Sequence, residues 1–345
     1  MHPSHRSELA ALLPGELPYP YFPAREAPWL LVHRMVGPEK IADLRRGPLG
    51  GTLGRPGVKD VLSSCGDGVL LPRHLVPLAD PLEAFGRERQ LLTDRASETA
   101  FEIAATEAWL PFNVSFTTWG SMATGRDWRW AQISRKGENL VLQLNFPERF
   151  AAELEYLLGP GTRDRLESGL HPVRKDRAIT LAWVRLDFDP WGEDVLIEEI
   201  QSDWIRVFRW LQKHNFKGMP DWSAQRLRDL VVVALETYSA IWARAAMLAA
   251  LALSVRELGM RRIWMHQPET GAKLKTIDRV LPPRSLYTDL PRRFGFTPTD
   301  RAPEFLYKTR NKVLSSLRRS GQPMFWLLDL SDGTTVQNVI RGRAH

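Results

Sequence analysis

Two β-forming runs joined by a tight turn constrain this chain more than any other segment. Ile179 to Phe188 is rich in β-branched and aromatic residues, Asp189-Pro190-Trp191-Gly192 supplies turn chemistry, and Val195 to Ile200 is the return run. Proline pre-sets the turn backbone and glycine closes it, so the runs pair as an antiparallel hairpin. The return strand then enters a polar cluster, Gln201-Ser202-Asp203-Trp204, and 205–213 has the spacing of a short amphipathic helix.

Side chains alternate along a strand. Val195, Ile197, Glu199 and Gln201 share one face, and Leu196, Glu198, Ile200 and Ser202 share the other. Each face turns from apolar to polar towards the carboxyl end. Carboxylates are depleted in strands and costly to bury unpaired. In open α/β sheets, ligands collect beyond the carboxyl ends of strands. Glu198 and Glu199 therefore mark a candidate cleft. Two accounts of them stay open: one serves as a base, or both pair with an arginine such as Arg185. Asp203 is expected to cap the following helix, and Trp204 to pack. The outgoing strand ends Leu186, Asp187, Phe188, Asp189, which predicts a wetter face there.

Downstream, a long helix is expected from Asp221 or Ser223 to Gly259, then a strand from Arg261 to His266 and a turn at Pro268 to Gly271. Residues 281–296 are punctuated by proline and leave room for a short helix. Glu304 to Arg319 reads as one amphipathic helix with a stripe at Phe305, Leu306, Val313 and Leu317. Met324 to Leu330 reads as a buried strand. A strand, crossover helix and strand imply parallel pairing with a right-handed connection. Upstream, NVSFTTWG, DWRWAQIS and NLVLQLNF alternate as strands do, and 147–158 is helical in pattern. Residues 1–77 are rich in Pro and Gly and predict loops with short helices, one around Trp29 to Val32. One or two helices are expected over 79–108. The fold class is thus α/β (mixed α+β): a central mixed sheet over 109–345, preceded by an irregular, partly helical region over 1–108.

Hydrophobic content of 43% and charged content of 25% suit a packed globular chain. Thirteen tryptophans need partners for their indole N–H groups. Cys65, the single cysteine, sits in a turn-like SSCGDG and is read as structural; a nucleophilic role would need a histidine beside it. The eight histidines lack metal-ligand spacing, and no metal is expected. The apolar stretch Val231 to Val255 carries Glu236 and Arg244, charges that are expensive in a bilayer, so it is read as a core helix. With no signal-peptide pattern at the N-terminus, a cytoplasmic location without membrane contact is expected.

Charge is uneven. Residues 256–345 hold 17 Lys+Arg against 8 Asp+Glu, while 1–255 hold 30 against 32. The basic third suits an anionic partner, a nucleotide cofactor or a nucleic acid, or else is a solvated face. Phe294, Phe296, Phe305, Tyr307 and Trp326 interleave with its basic residues, as stacking platforms do, though such spacing also serves a core. His266, at a strand end, would open towards the same sheet end as Gln201; Lys273, Lys275 and Arg284 follow it.

The run VRLDFDPWGEDVLIEEIQSDW resembles a segment of large phage and prophage polyvalent proteins. There, too, a strand pair leads into an EEIQSDW-type motif, then a long helix, a short Trp-bearing strand and a Gly turn. The likeness covers roughly residues 176–272. More broadly, the chain resembles GNAT acyltransferases: a hairpin, a cofactor-binding helix (223–258), a strand (261–266), a short helix (285–293) and the Gly295-Phe296 step. That resemblance implies acyl transfer from acetyl-CoA or another acyl-CoA to an amine. Glu199, or Glu198, would be the base, and Tyr287 the acid. The strand backbone up to Gln201 and Ser202 would hold the pantetheine arm. Where the family has a Gly-rich phosphate loop, this chain offers Arg206, Lys217 and Gly218. His266 and Arg284 would face the substrate. The alternative is a non-enzymatic, mobile-element-related protein that binds nucleic acid or protein through the basic third.

Overall fold

The computed structural model describes residues 13, 15–55, 57–79, 110–121, 131–146, 152, 156, 166–174, 178–216, 221–277, 281–309 and 312–331. Along the chain run β1 (Glu16–Tyr21), α1 (Glu26–Arg34), β2 (Glu39–Lys40), α2 (Ile41–Arg46), α3 (Val58–Ser64), β3 (Val69–Leu70) and α4 (Pro72–Ala79). Then come β4 (Leu110–Ser121), β5 (Gly137–Asn145), β6 (Thr180–Phe188), β7 (Asp194–Gln201), α5 (Asp203–Lys213), α6 (Asp221–Tyr238) and α7 (Trp242–Ala252). Last are β8 (Arg262–His266), α8 (Pro268–Leu274), α9 (Leu290–Arg293), β9 (Thr297–Thr299), α10 (Glu304–Tyr307), α11 (Lys312–Arg319) and β10 (Phe325–Asp329). The class is the expected mixture of strands and helices. The helices expected over 79–108 and 147–158 fall almost wholly outside the described residues; of the strand expected over DWRWAQIS, 127–130 lie outside them, and Ala131 to Ser134 are irregular rather than a strand, held by side chains of β6 and β7 in place of a strand partner.

Two compact units share the chain. Residues 1–21, 92–187 and 197–251 make the first, and 22–91, 188–196 and 252–345 the second, so β7 contributes to both.

In the first unit the strands lie in the order β1, β4, β5, β6 and the carboxyl part of β7. The pairs β1–β4, β4–β5 and β5–β6 are antiparallel, with a register shift at Leu144/Asn145. Every residue of β6 is buried, so neither of its faces is wet. Arg185 and Asp187 pair internally in place of water, which overturns the wetter face expected near Asp187. The expected long helix is instead two. One stripe of α6 is buried (Leu227, Leu230, Val231, Ala234), while Val232 and Val233 are exposed; on α7, Ala245 to Leu251 are buried all round. One straight helix cannot serve both environments. A turn closed by the Ile241 N–H on the Tyr238 carbonyl separates them. A π-helical turn over Leu253–Glu257 ends the run, and Gly259 terminates it with φ +67°, a left-handed conformation suited to glycine. Among the described residues no single helix is long and apolar enough to cross a membrane; only the pair Leu227–Tyr238 and Trp242–Glu257, bent by 49°, has the combined length and composition.

The second unit orders its strands as the start of β7, then β8, β10 and β9. β8–β10 and β10–β9 are antiparallel. Backbone N–H groups of Arg261 and Arg262 both donate to the Glu193 carbonyl at 3.0 Å. β7 and β8 therefore start at one edge and run parallel, as the crossover predicts. Buried Asp194 ties three elements: its Oδ1 accepts from Arg262 Nε (2.6 Å) and Trp264 Nε1 (2.9 Å), and its Oδ2 from the Glu304 N–H (3.0 Å). Leu196, Trp264, Phe305, Leu306, Leu314, Met324, Phe325 and Leu327 form the core around them. The single helix expected over 304–319 is split into α10 and α11. Leu314 takes the buried position and Val313 is exposed. Pro268 opens α8 at its first position, where its missing N–H costs nothing, rather than closing a turn. Trp29 to Val32 lie buried in α1, as expected.

Candidate functional site

β7 ends at Gln201, and Ser202 turns the chain into α5. Ser202, not Asp203, is the N-cap: its backbone is extended and its hydroxyl accepts the Ile205 N–H at 3.2 Å. Asp203 is the first helical residue and is free for other bonds. Its carboxylate, 1% exposed, accepts from the Ser168 N–H (3.1 Å), from Arg206 Nη2 (2.5 Å) and from His171 Nδ1 (2.8 Å). The next residue, Trp204, is buried as expected and donates its indole N–H to Glu167 at 3.0 Å. These bonds bind the 166–174 segment to the first turn of α5.

The two glutamates have separated fates. Glu198 is fully buried; Ser134 donates to it through both its N–H (3.0 Å) and its hydroxyl (2.9 Å). Glu199 lies on the opposite face and is partly exposed, and its Oε2 meets Arg185 Nε at 2.9 Å. The arginine pairing weighed for both glutamates thus holds for Glu199. Arg185 also donates to the carbonyls of Ala131 and Gln132, at 2.8 and 2.9 Å. Arg135 makes a two-pronged pair with Asp187, at 2.6 and 2.9 Å. Charged residues of β6 and β7 therefore pin the 131–135 loop at three points. Gln132 adopts φ +52° in it, uncommon for a residue with a Cβ.

Gln201, on the Glu199 face, links the two halves. With its amide turned so that both ends find partners, it donates to Glu199 Oε1 at 3.2 Å and accepts from Arg206 Nη1 at 3.0 Å. A continuous chain results: Arg185, Glu199, Gln201, Arg206, Asp203, His171. Its two ends differ. Glu199 has the Gln201 amide on one oxygen and the Arg185 guanidinium as an ion pair at the other. His171 has a side chain 27% exposed, with its ring 5.1 Å from that of Trp183. A carboxylate only accepts, so the Nδ1 bonded to Asp203 carries the proton. In the neutral imidazole Nε2 is then the bare nitrogen, and no described residue bonds to it.

Glu198, Glu199, Gln201, Ser202 and Arg206 are thus together in the first unit. Lys217 and Gly218 lie outside the described residues. Tyr287, His266 and Arg284 belong to the second unit. Tyr287 is buried in a π-helical turn, Ser285–Asp289, and its carbonyl accepts from Trp326 Nε1 at 2.8 Å. His266 is fully buried, its ring 5.2 Å from that of Phe325. It is closely backed by Gly271, where an added Cβ would come within 3.1 Å of the His266 Cβ. Arg284 is exposed. Of the aromatics in the basic third, Phe294, Phe296, Phe305 and Trp326 are core; only Tyr307 reaches the surface, with Arg318 5.8 Å from its ring. Cys65 Sγ lies 3.4 Å from the Val61 carbonyl and 3.6 Å from His74 Nδ1.

Sequence reasoning missed His171 and Ser134. Neither stands at a telling distance from its partner: His171 is 32 residues from Asp203, and Ser134 is 64 from Glu198. No protein-family model matches the chain, and no curated protein or solved structure matches it.

Proposed function

We propose that the end of β7 and the start of α5 form an acyl-transfer site of the GNAT type, taking an acyl group from an acyl-CoA to an amine. The observation that carries this is the chain of polar contacts from Arg185 to His171, an Arg185–Glu199 ion pair followed by hydrogen bonds through Gln201, Arg206 and Asp203, set at the carboxyl end of a sheet strand. Ligands of open α/β sheets collect there. Preorganised polar groups at a partly water-excluded site are also what acyl transfer uses to stabilise developing charge. Glu199, partly exposed and held by Arg185 and Gln201, is the carboxylate offered to the acceptor amine. In support, the β6–β7 hairpin, β8, α9, Gly295-Phe296 and β9 come in the order the resemblance implies, with α5, α6 and α7 where it has one helix and with α8 added.

The test is titration of the full chain with acetyl-CoA, followed by calorimetry and thermal shift. Saturable binding that Arg206→Ala weakens is expected. No binding at millimolar acetyl-CoA refutes the proposal. A second proposal, nucleic-acid binding by the basic third, draws on exposed Tyr307 beside Arg318. Its signature is affinity for a single strand that falls steeply with salt.

A further inference from the structure

We infer that His171 is the proton acceptor of this site and that Asp203 is its positioning residue. The inference rests on the acyl-transfer proposal and names the base within it. Three features of the fold converge. The Asp203 carboxylate is buried and fixed by the Ser168 N–H and Arg206, so it cannot swing away from the imidazole. It holds a proton on Nδ1, which in the neutral imidazole leaves Nε2 bare on a partly exposed ring. Trp183, fully buried, flanks the ring and limits its rotation. A base needs an unoccupied lone pair within reach of the proton it takes, and an orienting group behind it. Glu199 is instead tethered at both oxygens, by the Arg185 ion pair on one and the Gln201 amide on the other. His171 meets both requirements.

The step balances as follows. The neutral amine nitrogen attacks the thioester carbonyl and a C–N bond forms. The amine proton passes to His171 Nε2, giving an imidazolium stabilised by Asp203. The tetrahedral intermediate collapses, the C–S bond breaks, and the departing thiolate takes the proton from Nε2. The products are an amide and free CoA, and the imidazole returns to its starting tautomer.

The experiment compares wild type, His171→Gln, Asp203→Asn and Glu199→Gln, with acetyl-CoA as donor and a panel of primary amines as acceptors, following thiol release. Positioned proton transfer contributes roughly 10²–10⁴-fold, so His171→Gln should lower kcat by about that factor and leave acetyl-CoA affinity unchanged. Asp203→Asn should lower kcat and remove the Nδ1–H preference of His171 in ¹⁵N imidazole spectra, a change that a merely structural aspartate would not produce. Turnover in His171→Gln within threefold of wild type overturns the role of His171 and leaves the acyl-transfer proposal standing. So does an Nε2–H tautomer in wild type. Failure of wild type to bind acetyl-CoA overturns that proposal, and this role for His171 falls with it.

Discussion

Asp194→Ala removes one buried carboxylate on which β8 and α10 converge. Three donors lose their acceptor. Trp264 Nε1 has most to lose, because its side chain is buried and Asp194 is its hydrogen-bond acceptor among the described residues; an unsatisfied buried donor costs about 1–3 kcal/mol. Arg262 is partly solvated and keeps Glu193 at 3.2 Å, so its loss is discounted to about 1 kcal/mol. The Glu304 N–H, at the first turn of a short helix, adds about 0.5–1 kcal/mol. Together the substitution should cost about 3–5 kcal/mol, the range for breaking a buried charge pair from one side. Asp194→Asn keeps one carbonyl oxygen for Arg262 and Trp264 but turns an NH₂ towards the Glu304 N–H. It should cost about 1–2 kcal/mol. Urea unfolding followed by tryptophan emission measures both. Because the chain has two units, hydrogen exchange of the β8 and β10 amides should be read alongside, to assign the loss to the second unit. An alanine variant within about 1 kcal/mol of wild type, or an asparagine variant as unstable as alanine, would refute the reasoning.

Two further outcomes are expected. Ser202→Ala removes the helix cap of α5 and should lower stability by about 1 kcal/mol, with Ser202→Thr largely retaining it; thermal unfolding of the three proteins decides. Burial pushes the Asp329 carboxyl up, but hydrogen bonds from Ser331 and the charges of Arg34 and Arg262 outweigh it and hold the group below its ordinary value of 3.8. A depressed carboxyl stabilises the fold fully above its ordinary value and loses that contribution as pH falls through the folded-state value. The stability gap between wild type and Asp329→Asn should therefore be constant above about pH 5 and close on acidification below 3.8; a gap independent of pH would contradict this.

Local pattern carried most of the fold. The β6–β7 hairpin, the parallel start of β8 and the buried strand β10 follow from alternation, turn residues and apolar runs, which act over a few residues. The split of α6 from α7 and of α10 from α11 was hidden, because propensity stays helical across both breaks and only the surroundings change. The site was half legible. Glu199 and Gln201 share a face by strand geometry, and the Arg185 partner was foreseeable from charge. His171 was not, since its place beside Asp203 depends on how a distant turn is folded back, and no spacing encodes that. Asp203 was misassigned as the cap because Ser202 and Asp203 are both good capping residues, and a shift of one residue decides which carboxylate is released for other work.

The linked side chains Glu199, Gln201, Asp203 and Arg206 stand at steps of two, two and three along the chain. The first two belong to strand geometry and the last to a helical turn, so the motif works as a ruler whose unit changes at Ser202. Such a ruler is more sensitive to length than to identity. A conservative exchange at one mark weakens one link, whereas a single residue inserted between Gln201 and Asp203 would turn everything upstream to the opposite face relative to everything downstream. A chain that carries the same site should therefore conserve the spacing E-x-Q-S-D-x-x-R without a gap, and supply its histidine from any distance.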